Sequence, residues 1–488
     1  MEAPPPPPPS LPCHVVALPY HARGHINPMM NQCKLLVSKN NNILVTLVVT
    51  EEWLSFIGSD AKPDNIKIRS IPNVIPSELT RGYDLPAFME AVMTKMEHPF
   101  EEVLNNLDPP PSIIVSDTFL YWVIGVGIRR NIPVASFWTM SASAFSMFLH
   151  YHLLEKNGHY LVNLSENGEK LMDYIPGVSP TRVADFPLND DSYRSKGVLK
   201  QCLKGFSWVH KAQYLLFPSI YELEPEAIDV LKAKLSMPIY TIGPATPHFT
   251  LEKSPTSSTE GNKVQMKNVC KENIIEGNNT PSHSYLEWLD AQPAGSVLYI
   301  SQGSFYSVSR AQIDEIALAL RESKVRFLWV ARGEAQRLSE ICGDIINKDT
   351  AGLVLEWCDQ WRVLCHAAVG GFWTHCGWNS TKEGVLAGVP FLTFPIFIDQ
   401  PLDSNSKMIV EDWKVGWRVK ESVEVNGFVK KDEIVRLVKR FMDLDSDFAG
   451  EIRERAKKLQ FICHRAIEIG GFADSDLNAF ISTIMQVA

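Results

Sequence analysis

The chain has 488 residues, 45% hydrophobic and 21% charged, enough for two or three domains with full cores and too ordinary for a disordered or fibrous protein. Its 47 Lys and Arg against 56 Asp and Glu leave a net charge of -9 with no dense basic run, so neither nucleic acid nor an anionic membrane surface is an expected partner. Nine cysteines, an odd number without paired spacing, predict reduced thiols and a cytoplasmic setting.

In chain order, residues 1–12 come first. Glu2 and six consecutive prolines stand there in place of the basic start and apolar helix of a signal peptide, and they read as a disordered polyproline tail. From residue 13, short apolar runs alternate with stretches of helical spacing. That is the pattern of buried parallel strands joined by crossover helices, so the class is α/β. Strands are predicted at 14–19, 43–49, 66–71, 113–116 and 134–138. The most apolar stretch, 140–154, is interrupted by His150 and His152, and no membrane span is expected. A polar segment at 246–284, thick with Ser, Thr, Asn, Lys and Glu, reads as a linker. The strand pattern then repeats at 296–301, 327–331, 353–356, 369–374 and 391–394. Two doubly wound domains, 13–245 and 285–471, are therefore expected to face each other across a cleft, with ligands at the carboxyl ends of the strands. A last helix within 472–488 carries Leu477, Phe480, Ile481, Ile484 and Met485 on a face that needs a partner.

The first strand runs into Pro19-Tyr-His-Ala-Arg-Gly-His25-Ile-Asn-Pro28. His25 thus sits at a strand's carboxyl end, where an imidazole serves as a general base when a carboxylate orients it. Alone it would read as a surface-loop histidine. Asp117 follows the strand at 113–116 and would meet His25 if the two strands were neighbours; the same position suits a helix N-cap. His21 is a rival base that spacing does not separate from His25.

A denser constellation runs from Trp357-Cys358-Asp359-Gln360 through His375-Cys376-Gly377-Trp378-Asn379-Ser380-Thr-Lys-Glu383 to Pro390 and Asp399-Gln400. It reads as strand, glycine turn and helix, where free backbone N–H groups and the positive dipole end receive a diphosphate. A capping box from Ser380 to Glu383 is the local alternative, and it would leave His375, Trp357 and Gln400 unexplained. Cys358, Cys365, His366, His375 and Cys376 also raise a zinc module. Adjacent Cys and His residues point to opposite faces of a strand, however, and lack ligand spacing. Gly303-Ser304 offers either a second phosphate turn or a plain strand ending, after which Ser309 and Gln312 open a helix with capping-box spacing. The sequence has no G-x-G-x-x-G or G-x-x-x-x-G-K-S/T motif.

Residues 357–400 resemble the plant secondary product glycosyltransferase signature of family 1 UDP-sugar-dependent enzymes. The match lies in the opening Trp-x-x-Gln, the central His-Cys-Gly-Trp-Asn-Ser, Glu383, Pro390 and the closing acidic-Gln pair. The Gly24-His25-x-x-Pro28 loop, Asp117 and the Gly303-Ser304 turn also stand where that family has them. The resemblance implies a GT-B fold of two Rossmann-like domains, the first for the acceptor and the second for the donor, with the final helix crossing back onto the first. It implies Trp357 stacked on uracil, Cys358 and Gln360 holding base and ribose, and Glu383 on the ribose hydroxyls. His375, Asn379, Ser380 and Ser304, with the turn at Gly377, would take the diphosphate. Trp378, Asp399 and Gln400 would face the sugar, and a final Gln goes with glucose. Asp359, Gln302 and His21 depart from the pattern, which has a proline, an apolar residue and a small residue or proline in those places.

The expected activity is an inverting, metal-independent transfer of glucose from UDP-glucose to a hydroxyl or carboxyl of a small lipophilic plant metabolite, such as a phenolic, flavonoid, terpenoid or hormone, giving a β-glucoside. In this reading His25 takes the acceptor proton and Asp117 holds the imidazolium. Backbone donors and His375 stand in for a metal, and no cofactor is expected. The acceptor pocket is expected around 71–88, 137–150 and 180–188, with Phe137, Trp138, Phe145, Met147 and Phe148 either lining it or forming a buried helix face. The alternative is a catalytically silent nucleotide-sugar sensor or scaffold, which would need neither His25 nor Asp117. The protein is expected to be a monomer.

Overall fold

The Val- and Ile-rich runs of the first half pair side by side in one parallel sheet. A computed structural model describes residues 12–58, 62–81, 84–244, 284–303, 309–343, 352–395, 402–420 and 428–486. The expected tail up to residue 11, the expected linker up to residue 283, Ser304, and the Asp399-Gln400 pair lie outside them.

The first sheet contains β1 (Cys13–Leu18), β2 (Ile43–Thr50), β3 (Ile66–Ile71), β4 (Ile113–Asp117) and β5 (Val134–Phe137). After a small antiparallel pair, β6 (Leu171–Met172) and β7 (Thr181–Arg182), it is completed by β8 (Tyr214–Phe217) and β9 (Ile239–Thr241). Its order, β3-β2-β1-β4-β5-β8-β9, is doubly wound. Every residue of β1, β4 and β5 is buried, as a parallel sheet covered on both faces requires. β1 and β4 are neighbours with Leu18 opposite Ser116, so the chain leaves both strands at adjacent points of one carboxyl edge.

The second sheet contains β10 (Val297–Ser301), β11 (Arg326–Val330), β12 (Gly352–Leu355), β13 (Val369–Thr374), β14 (Phe391–Thr393) and β15 (Gly416–Arg418). They lie parallel in the order β12-β11-β10-β13-β14-β15. With helices on both faces of each sheet, the two halves are the Rossmann-like units of a GT-B fold. The strands β8, β9 and β15 are not among the predicted runs.

Each half completes the other. The helix Phe472–Met485 buries Leu477, Phe480, Ile481 and Ile484 against Cys13, Val15, Ile26 and Leu36. Asp476 accepts from the backbone N–H and the hydroxyl of Thr241, both at 2.8 Å, and Lys39 pairs with Asp474. In return Ile220 and Leu223 pack with Tyr285, Val363 and Trp378 in the core of the C-terminal half. Among the described residues no helix is long and apolar enough to cross a membrane.

Candidate active site

The helix Arg23–Lys39 begins shortly after β1 and carries His25 in its first turn, while Asp117 is the last residue of β4. The strand order brings them together. His25 Nδ1 lies 2.7 Å from Asp117 Oδ2 and 3.0 Å from the hydroxyl of Thr139, and both members of the pair are nearly buried. Asp117 Oδ1 accepts from the N–H of Phe119 at 3.1 Å. The carboxylate thus braces a turn and does not cap the following helix, which starts at Trp122. With Nδ1 engaged as the donor, Nε2 is the ring nitrogen left for a ligand.

His25 stands in the wall of a cavity lined by Tyr20, Met89, Phe119, Met140, Val198 and Cys202. The rings of Tyr20 and Phe119 lie 5.1 and 6.1 Å from the imidazole. Of the expected segments, only 137–150 reaches this cavity, through Met140. Trp138, Phe145, Met147 and Phe148 belong to the hydrophobic core on one face of the sheet, and Phe137 to that on the other. Val198 and Cys202, on the helix Tyr193–Val209, gave no signal in the sequence. His21 is fully buried and its Nε2 accepts the N–H of Thr50 at 3.0 Å. Burial pushes its pKa down to about 3. It is a neutral structural ring facing the end of β2, and does not line the cavity beside His25.

On the opposite side of the cleft, β13 leads through His375-Cys376-Gly377 into the helix Trp378–Ala387. This helix starts with Gly377 as its N-cap and no side-chain cap, so the capping box expected at Ser380 and Glu383 does not form. Gln360 binds both residues instead. Its Nε2 donates to Ser380 Oγ at 3.0 Å and Glu383 Oε2 at 2.7 Å, and its Oε1 accepts from the Tyr299 hydroxyl at 3.2 Å. Cys376 is held in the left-handed region, φ 68°, by Thr374 Oγ1 at 3.2 Å from its N–H and Asn405 Nδ2 at 2.9 Å from its carbonyl. Non-glycine strain of this kind gathers at ligand sites. The His375 ring is wedged between two glycines. A Cβ on Gly303, whose φ is +87°, would come within 2.9 Å of Nε2, and one on Gly377 within 2.5 Å. Burial lowers the His375 pKa to about 4, leaving a neutral imidazole.

Trp357 is 49% exposed, an open aromatic face, whereas the neighbouring Cys358 is buried. The Cys358 thiol lies 3.6 Å from the Tyr299 hydroxyl and burial pushes it up to about 12, so this side chain belongs to the core. Trp378 is also buried, with its ring 6.3 Å from that of Trp413. The suspected zinc cluster disperses. His366 pairs with Asp290 at 3.1 Å, Cys358 meets Tyr299, and Cys376 shapes the turn. Among the described residues no three His, Cys, Asp or Glu side chains gather as metal ligands. Asp359, where a proline was expected, caps the helix Gln360–Leu364 by accepting from the Arg362 N–H at 3.1 Å. Its own N–H donates to the Tyr285 hydroxyl at 3.3 Å, a bond a proline lacks.

The two sides meet. Asn379 Nδ2 donates to the Gly24 carbonyl at 2.9 Å, the buried Lys382 ammonium to the Pro218 carbonyl at 2.6 Å, and Trp413 Nε1 to the Leu223 carbonyl at 3.1 Å. Arg418 reaches Asp185 at 3.4 Å. Burial lowers the Lys382 pKa to about 7, against the pull of Glu383 and Glu224.

The family described as UDP-glucoronosyl and UDP-glucosyl transferase matches residues 264–423. UDP-glycosyltransferase 87A1 of Arabidopsis thaliana is 48% identical over 472 residues, covering 96% of this chain and 100% of that one. The 7-deoxyloganetin glucosyltransferase of Catharanthus roseus is 34% identical over 88% of each chain. The crystal structure of Medicago truncatula UGT71G1 complexed with UDP-glucose superimposes with a TM-score of 0.76 at 25% identity, over 97% of this chain and 98% of that one. Two facing Rossmann-like halves with a glycine turn and helix start at the cleft define a glycosyltransferase that draws on a nucleotide sugar. The chain belongs to the plant family 1 UDP-glycosyltransferases.

Proposed function

We propose that the enzyme moves glucose from UDP-glucose, with inversion and without a metal, to a hydroxyl of a small lipophilic acceptor such as a phenolic, flavonoid, terpenoid or hormone, giving a β-glucoside. The observation that carries this reading is the 2.7 Å contact of His25 with Asp117 in the wall of a cavity to which Met89, Phe119, Met140 and Val198 also contribute. His25 Nε2 takes the hydroxyl proton as the acceptor oxygen bonds to the anomeric carbon and the bond from that carbon to the β-phosphate oxygen breaks. Asp117 and Thr139 fix the tautomer, and the carboxylate stabilises the imidazolium that forms. A carboxylate acceptor would need no such base, and the pair therefore favours a hydroxyl.

UDP leaves toward the start of the helix Trp378–Ala387, where unpaired backbone N–H groups and the dipole offset its growing charge. His375 contributes as a neutral N–H donor, with Asn379, Ser380 and Ser304 on the diphosphate. Trp357 stacks on the uracil, Gln360 and Glu383 face the ribose, and Trp378, Asp399 and Gln400 attend the sugar. Cys358 supports the base through its backbone, its thiol being taken up by the core. The glucose assignment is supported by the closing Gln400 and by the names of the glucosyltransferase relative and of the UDP-glucose complex. A cytosolic setting fits the scattered cysteines, of which the eight described are all free thiols.

The test is turnover of UDP-glucose with a panel of phenolics and terpenoids in the presence of EDTA, comparing the native chain with His25→Ala. Release of UDP with β-glucoside formation, resistant to EDTA and lost in the variant, is the expected result. Tight UDP-glucose binding without turnover on any acceptor would favour the sensor, and an α-anomeric product or dependence on a divalent ion would overturn the mechanism.

A further inference from the structure

We propose that Lys382 is a positioning residue: its buried ammonium fixes the register of the donor-side helix Trp378–Ala387 against the acceptor half, and so the distance from the departing diphosphate to His25. The inference rests on His25 as the base. Lys382 is 2% exposed, and taking an ammonium out of water costs several kcal/mol unless its protons find partners. An apolar residue would fill the same volume without that penalty, so a buried lysine with a polar contact needs a reason. Its Nζ donates at 2.6 Å to the carbonyl of Pro218, directly after β8. Glu383 on its own helix and the buried Glu224 of the N-terminal half also attract Lys382, without an ion pair to either. The two oxygens of Glu224 accept the N–H groups of Ala142 at 2.9 Å and Ser143 at 2.8 Å, at the start of the helix Ala142–Leu149. Three residues before that helix stands Thr139, whose hydroxyl is 3.0 Å from His25 Nδ1.

Lys382 does not act alone on its helix. Asn379, three residues earlier and on the same face, donates to the carbonyl of Gly24, the residue before His25. The helix is thus pinned at two places on the carboxyl edge of the first sheet, after β1 and after β8. Trp378 packs with Ile220 and Leu223 beside these pins, but only the two polar contacts fix a direction along the edge. Lys382 supplies the second pin, and Asn379 carries the position of the helix to the residue before His25.

The experiment compares Lys382→Met with the native full chain, using an acceptor that the native enzyme glucosylates. UDP affinity is read by calorimetry and kcat by glucoside formation. Trp357, His375 and Glu383 all belong to the C-terminal half, so UDP affinity should stay within about twofold. Misplacement by an ångström or so should lower kcat by about 10- to 100-fold. A kcat within twofold of native, or a loss of UDP affinity in step with the loss of kcat, would overturn the inference. If Lys382→Met does not fold, Lys382→Gln makes the same comparison. Failure of both to fold would show that the ammonium serves the core and not the register, which also overturns it. His25→Ala in parallel separates the two readings: an active His25→Ala defeats the base assignment, whereas an inactive one beside a fully active Lys382→Met defeats only the register role.

Discussion

The side-chain amide of Asn379 is bonded to the backbone carbonyl of Gly24, 2.9 Å away, so the helix start after His375 touches the helical turn that carries His25. An amide has a second N–H, and that proton is available to a phosphate oxygen while the first keeps that turn in place. Asn379→Ala should weaken UDP binding by about 5- to 15-fold through loss of one charge-assisted hydrogen bond. Asn379→Asp should be worse, because a carboxylate has no proton for Gly24 and repels the diphosphate. Calorimetry with UDP checks the ranking, and an Asp variant binding as well as the native chain would contradict it.

Asp117 should matter through kcat. Asp117→Asn keeps the shape of the contact but removes the charge that stabilises an imidazolium, and general-base terms of this kind are worth about 10²- to 10⁴-fold. The loss should fall on alcohol and phenol acceptors. A carboxylic acid acceptor, already ionised at neutral pH, should be spared in both Asp117→Asn and His25→Ala. Steady-state rates on one acceptor of each type decide, and equal losses on both would be inconsistent with a base.

Trp357 offers an exposed ring with little packing to lose. Trp357→Ala should leave the melting temperature within a few degrees of native. UDP binding should weaken by about 5- to 100-fold, the usual range for one base–aromatic stack. Unchanged UDP affinity would remove Trp357 from the site.

His21 and His375 set an acid limit on stability. The folded pKa values of His21 and His375 lie at about 3 and about 4, against roughly 6.5 in the unfolded chain. Below pH 6.5 the unfolded state therefore binds protons that the folded state refuses. Stability should be insensitive to these two groups above about pH 7 and should fall as the pH drops from about 6.5 toward 4. His21→Ala should flatten that slope and cost about 1–3 kcal/mol, since the buried N–H of Thr50 loses its acceptor. Calorimetric melts between pH 8 and 5 test both statements. A changed acceptor profile in His21→Ala would contradict the structural role.

The placement of the candidate site was legible in the sequence where a residue type stood at a strand's carboxyl end. His25 and Asp117 could be placed there by the apolar runs before them, but their contact depends on β1 and β4 being neighbours, a matter of strand order that no local pattern records. Thr139 gave no signal because its role exists only once β5 lies beside β4. The spacing of Ser380 and Glu383 also fits a capping box, an alternative that the structure removes. The helix begins at Trp378 instead, because Gly377 leaves room for the His375 ring. Phe145 and Phe148 looked equally suited to a pocket or a core, and the surrounding rings of Trp138 and Phe206 drew them into the core.

The exchange of segments between the halves bears on how such an enzyme is made and re-engineered. The helix Phe472–Met485 leaves the ribosome after every other described element, yet it covers β1, which leaves among the first. The N-terminal half must therefore wait through synthesis of the C-terminal half before its own core closes, with an apolar face open to chaperones meanwhile. By the same token, a chimera joined in the segment between the halves inherits a mismatched lid. Grafting a new acceptor half onto this donor half succeeds only if residues 472–485 travel with the acceptor half, and the Ile220–Leu223 stretch is matched to the core it enters.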